Sequence, residues 1–106
     1  MKRFFNGQYV GLKDDNDKTI IPAEYDYIWV HKNEYAIVRK ICFYGVIRLS
    51  DKKEIVPPKF AHAEIKDKYI IISSMKKYGI YSLDGTLIVP PTLTKEALVE
   101  FEKTVA

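Results

Sequence analysis

The sequence predicts an all-β fold: three tandem units of about 34 residues, each a β-meander of hairpins, forming a stacked or barrel-like sheet with a short C-terminal helix as a cap. Three observations carry this prediction. Gly11, Gly45 and Gly79 recur at a spacing of 34 residues, each followed by an aliphatic residue. After each glycine comes a polar turn and then a short aliphatic stretch ending in proline: Ile20-Ile21-Pro22, Ile55-Val56-Pro57 and Ile88-Val89-Pro90. Between these landmarks lie short β-branched and aromatic runs bounded by turn residues, the pattern of strands rather than helices. The whole chain, 1–106, reads as a single domain with units at 1–34, 35–68 and 69–93 and the helix at 94–106.

In chain order, Asn6-Gly7 is a hairpin signal just ahead of Tyr9. Two registers compete for the first unit. Counted from Asn6-Gly7, Tyr9 matches Tyr44 and Tyr78; counted from Gly11, Val10 takes the tyrosine position. Asp14-Asp15-Asn16-Asp17 falls where each unit needs a polar turn, as do Ser50-Asp51-Lys52-Lys53 and Asp84-Gly85. Oxygen-rich turns suit a hard cation, but this one lacks the central glycine and distal glutamate of a calcium-binding EF-hand loop, so a solvated hairpin is expected.

Tyr35-Ala36-Ile37-Val38-Arg39 and Tyr69-Ile70-Ile71-Ile72-Ser73 read as strands that lead into Tyr44-Gly45-Val46-Ile47 and Tyr78-Gly79-Ile80-Tyr81. A glycine inside such a strand marks a bulge or a close approach of another backbone. The proline closes the pairing because it has no N–H to give a ladder. Beyond Pro90-Pro91 the period changes: Thr94 is a candidate N-cap, and Leu98, Phe101 and Val105 share a helical face.

Bulk composition bounds the class. Hydrophobic residues make up 47% and charged residues 29% of 106 residues, enough apolar surface for one modest core. The net charge is +3 with both signs interspersed, so the sequence has no basic block of the kind that tracks nucleic acid. A single cysteine, Cys42, precludes an intrachain disulfide and any paired-cysteine metal motif. No sustained apolar stretch reads as a signal peptide or membrane span, and the expectation is a cytoplasmic protein with no membrane partner.

The pattern aromatic-Gly-aliphatic, polar turn, aliphatic-aliphatic-Pro resembles the WG (KWG-type) repeat of bacterial proteins. It is carried by Tyr44-Gly45-Val46-Ile47 with Ile55-Val56-Pro57-Pro58-Lys59-Phe60, by Tyr78-Gly79-Ile80 with Ile88-Val89-Pro90-Pro91, and by Ile20-Ile21-Pro22-Ala23-Glu24-Tyr25-Asp26. Tyrosine replaces the eponymous tryptophan in the two clearest copies, and the first copy is degenerate. The resemblance covers roughly nine-tenths of the chain. It implies an all-β interaction module without a shared catalytic site, and by analogy an immunity or inhibitor protein acting on a toxin.

The candidate binding residues are Tyr25, Tyr27, Trp29 and His31, which alternate at period two while Ile28 and Val30 alternate the other way. Either the aromatic row faces solvent, as a partner site, or it is itself core; the period alone does not choose. A second hypothesis is a nucleic-acid-binding β module in which Lys32, Arg39, Lys40 and Arg48 gather beside exposed rings. A third, a hydrolase using Cys42 with His31 or His62, demands that thiol and imidazole meet in a cleft; the simpler reading of Cys42 is a small apolar residue in or beside a strand. No phosphate loop, dinucleotide fingerprint or nucleophile elbow is present, so no catalytic residue, metal or cofactor is assigned.

Overall fold

A computed structural model describes residues 1–105. Among the described residues, eleven strands form three antiparallel sheets. The first contains β1 (Lys2–Asn6), β2 (Tyr9–Lys13) and β3 (Thr19–Tyr25). The second contains β4 (Tyr27–His31), β5 (Tyr35–Lys40), β6 (Phe43–Arg48) and β7 (Lys53–Phe60). The third contains β8 (His62–Ile65), β9 (Tyr69–Ser74), β10 (Lys77–Ser82) and β11 (Leu87–Leu93), followed by helix α1 (Lys95–Val105). Each sheet is a meander in sequence order, and none closes on itself. Of the two architectures the sequence allows, the stack is the one formed, elongated to 43 × 25 × 16 Å.

The second and third hydrogen-bonded units start earlier than the 35–68 and 69–93 frame, at Tyr27 and His62. The segment after each proline does more than link: Tyr27–His31 and His62–Ile65 are strands in their own right, paired forward onto β5 and β9. Among the described residues, the second and third sheets therefore have four strands and the first has three.

One device recurs in all three sheets and settles the register of the first. Val10 pairs with Tyr25 and Leu12 with Ile21, so two residues on one strand face four on the other. Tyr44–Phe60 with Val46–Val56, and Tyr78–Leu93 with Ile80–Val89, repeat that bulge. Val10 is thus the equivalent of Tyr44 and Tyr78, and Gly11 keeps its period. A Cβ on Gly11, Gly45 or Gly79 would lie 2.6, 2.6 or 2.7 Å from the carbonyl oxygen of Ile21, Val56 or Val89, the residue before each proline. The glycine admits that carbonyl, and the proline starts the bulge that brings it there.

Turn chemistry also repeats. The β1–β2 turn is Gly7-Gln8, with Gly7 at φ 65° in the first central position, one residue later than Asn6-Gly7 suggested. Its equivalents, Ile41-Cys42 and Met75-Lys76, have positive φ at both central residues. In each glycine-to-proline turn an aspartate accepts a bond from the N–H two residues on: Asp14 from Asn16, Asp51 from Lys53, Asp84 from Thr86. Asp14 Oδ1 also takes the Lys18 N–H, which holds its carboxyl below the ordinary range.

Successive sheets are staggered by two strands. β2 and β3 pack on β4 and β5, and β6 and β7 pack on β8 and β9. Three apolar layers result. Val10, Leu12, Ile21 and Tyr25 meet Ile28, Ala36, Val38 and Ile47. Ile37, Val46, Val56 and Phe60 meet Ala63, Ile65, Ile70 and Ile72. Ile71 and Ile80 meet Leu98 and Phe101 of α1. Thr94 caps the helix, its Oγ1 accepting the Ala97 N–H at 3.2 Å, so the helix covers the face where a further sheet would stack. The expectations for the Val105 side chain and for Ala106 lie outside the described residues.

Candidate protein-binding surface

The stagger decides what faces solvent. The third sheet starts beneath β6, so β4 extends beyond it with one face uncovered. Tyr27 and Trp29 stand on that face at 40% and 44% exposure, with His31 half-buried beside them. Ile28, on the opposite face, is sealed against the first sheet.

Tyr25 is not part of this row. It ends β3, is buried at 7% exposure and packs among Val10, Leu12 and Ile28. Asp26 breaks the strand between Tyr25 and Tyr27, so the period does not carry across. The signal was available in the repeat: Tyr25 occupies the position of Phe60, which is core in the second sheet.

The remaining three residues belong to a larger surface. Trp29 and His31 stack tilted with ring centroids 5.5 Å apart. Tyr27 pairs across the ladder with Arg39, whose guanidinium lies 5.5 Å from the Tyr27 ring centroid and 6.0 Å from that of Tyr44. Arg39 Nε donates to Asp26 Oδ1 at 2.6 Å, and that bond, with a further contribution from Tyr44, raises the pKa of the guanidinium. Tyr44 then meets His62 of the third sheet edge to face at 6.0 Å. A planar cation clamped between two rings is a rigid patch, and aromatic and arginine side chains dominate binding energy at protein interfaces. Tyr44 was legible only as a repeat landmark, and its role here comes from the stagger.

Other candidates are dispersed. Cys42 and Ile41 form the exposed β5–β6 turn, so this stretch is a hairpin tip and not part of a core. The neighbours of the two imidazoles are rings, Trp29 for His31 and Tyr44 for His62. Of the four basic residues, Lys32 pairs with Asp67 at 3.3 Å, Arg39 with Asp26 and Arg48 with Asp51 at 2.6 Å, while Lys40 lies over the Tyr25 ring. A shallow groove of about 600 Å³ runs between the first two hairpin tips, lined by Tyr9, Glu24, Asp26, Lys40 and Ile41 among others. Among the described residues, no group of three or more His, Cys, Asp or Glu side chains converges as a metal cluster. No helix of the described residues is long and apolar enough to cross a membrane.

Three staggered meanders with a helical cap define a β tandem-repeat protein that presents an aromatic and arginine surface on one face of its second sheet, across β4, β5 and β6. Residues 11–40 match the family model described as the WG containing repeat, a match consistent with a WG-repeat protein. The matched stretch runs from Gly11 through β5 and so bridges the first two sheets; it includes the copy that looked degenerate in sequence. No curated protein and no solved structure matches the chain.

Proposed function

We propose that this protein is a non-catalytic protein-interaction module that binds a partner protein on the face formed by Tyr27, Trp29 and His31 with Arg39 and Tyr44. The observation that carries the reading is the exposure of Trp29, a large ring left 44% accessible by the stagger. Leaving that much indole in water forgoes about 1 kcal/mol or more of available burial, a cost that partner binding recovers. The clamped Arg39 adds a donor whose side-chain entropy is already lost before binding. The family resemblance extends the proposal to an immunity or inhibitor role in the bacterial cytoplasm, with a toxin as the partner.

The experiment is affinity capture on immobilised wild-type protein and on Trp29→Ala, with retained proteins identified by mass spectrometry. A partner held by the wild type and lost by the folded variant supports the reading; a partner held equally by both refutes this site.

Arg39 between Tyr27 and Tyr44 also favours a second reading, a single-stranded nucleic-acid platform. The carboxylates on Lys32, Arg39 and Arg48 count against it, because each must be displaced before a phosphate can bind. Oligonucleotide titration at two salt concentrations tests it: no binding at low salt ends this reading.

A further inference from the structure

The edges of the three sheets are unequal. β3, β7 and β11 each carry proline on the strand that ends the sheet: Pro22, Pro57-Pro58 and Pro90-Pro91. Proline on an edge strand blocks pairing with another chain. On β4, the edge carbonyl of Ile28 already accepts two bonds from the Arg3 guanidinium, at 3.1 and 2.9 Å. β1 and β8 have neither protection, but β8 is only four residues long, whereas β1 runs over Lys2–Asn6 and is the strand whose equivalents, β5 and β9, are each covered by a further strand.

The turn geometry shows which groups are free. Asn6 and Tyr9 face each other across the two-residue turn and form the hydrogen-bonded pair that closes it. Alternation along the ladder then points the amides of Lys2, Phe4 and Asn6 at β2, and those of Arg3 and Phe5 outward. The Phe5 side chain is 72% exposed, and the stagger leaves β1 beyond the second sheet.

We propose that β1 pairs with β1 of a second copy of this chain, antiparallel about a two-fold axis at Phe4, giving a continuous six-stranded sheet. This register puts Arg3 opposite Phe5 of the second copy and Lys2 opposite Asn6, so no like charges meet. It satisfies both outward N–H groups and both outward carbonyls on each chain, and it sets the aliphatic stem of Arg3, whose guanidinium stays on the Ile28 carbonyl, beside an exposed ring twice, by symmetry. A shift of one hydrogen-bonded pair in either direction forfeits this: one shift places Arg3 against Arg3, and the other leaves the Arg3 amide facing the Gly7 turn. The interface is small, so the dimer is a weak one formed at high concentration.

Sedimentation equilibrium from about 10 μM to about 1 mM tests the proposal on the intact chain. The wild type is expected to rise from 12.3 kDa toward twice that mass. Phe5→Pro removes the outward N–H without touching the bonds to β2, and is expected to weaken association by roughly tenfold or more. A register test stands beside it. In a Cys42→Ser background, Phe4→Cys is expected to form a disulfide-linked dimer under mild oxidation, because facing residues of a non-hydrogen-bonded pair lie about 4.5 Å apart at Cα. Phe5→Cys, opposite Arg3, is expected not to. A wild type that stays monomeric, a folded Phe5→Pro that dimerises as well as wild type, or crosslinking through position 5 in preference to position 4 overturns the proposal. If Phe5→Pro unfolds, the cysteine pair decides alone.

Discussion

Gly45 and the carbonyl of Val56 approach so closely that a Cβ on the glycine would lie 2.6 Å from the oxygen. The obstacle is backbone, with the Pro57 carbonyl carbon and the Pro58 nitrogen at 3.0 and 2.8 Å, so no rotamer change relieves it. Gly45→Ala is therefore expected to cost about 2–3 kcal/mol in a urea melt. Gly7→Ala is the contrast: at φ 65° with open space around it, the cost comes from the backbone conformation alone, about 1 kcal/mol. Equal losses at both sites would contradict the close-approach explanation of the repeat.

The β5–β6 turn holds Ile41 at φ 51° and Cys42 at φ 68°, with Ile41 77% exposed. A β-branched residue is strained in this region and gains nothing here from burial. Replacing the pair by Asn-Gly (Ile41→Asn with Cys42→Gly) is expected to raise stability by about 1–2 kcal/mol, measured as a shift in the denaturation midpoint.

Leu98 is the centre of the contact between α1 and the third sheet, at 4% exposure against Ile71 and Ile80. Leu98→Ala is expected to cost about 2–4 kcal/mol. Hydrogen exchange should show the loss concentrated in β9 and β10, with the first sheet little changed, because each layer touches only its neighbours.

Arg48 holds the Asp51 carboxyl near a pKa of about 2, below its ordinary 3.8, through hydrogen bonds at 3.0 and 2.6 Å. A carboxyl whose pKa is lower in the folded state contributes stability above its unfolded value and loses it as pH falls toward the folded one. Stability is thus expected to fall between about pH 4 and pH 2, and Asp51→Asn should make that fall shallower while leaving the slope above pH 5 unchanged. Asp51 is solvent-exposed and Arg48 partly so, which keeps the effect small, and thermal melts across the acid range are the measurement.

Much of this architecture was legible because it repeats. The 34-residue glycine spacing marked the bulge, and the Thr94 cap and the change of period marked α1. The first register stayed open because Tyr9 and Val10 both suit the position, and only the facing partner, Tyr25, distinguishes them. The aromatic row was read one residue too long, since alternation takes no account of a strand break at Asp26. The stagger was illegible altogether: which strand overhangs depends on how sheets pack, and nothing local to Tyr27, Trp29 or Arg39 encodes it. The exposed face of β4, and with it the proposed site, follows from that packing.

The proposed role of this face is tested most directly by removing its rings without disturbing the fold. Tyr27→Ala with Trp29→Ala is expected to lower stability by about 1–2 kcal/mol, leaving the protein folded, because both side chains are only partly covered and neither belongs to the core. Binding of the protein partner captured by the wild type, measured by calorimetry, is expected to weaken by about a hundredfold or more. A double variant that folds normally and binds that partner with wild-type affinity would contradict the account.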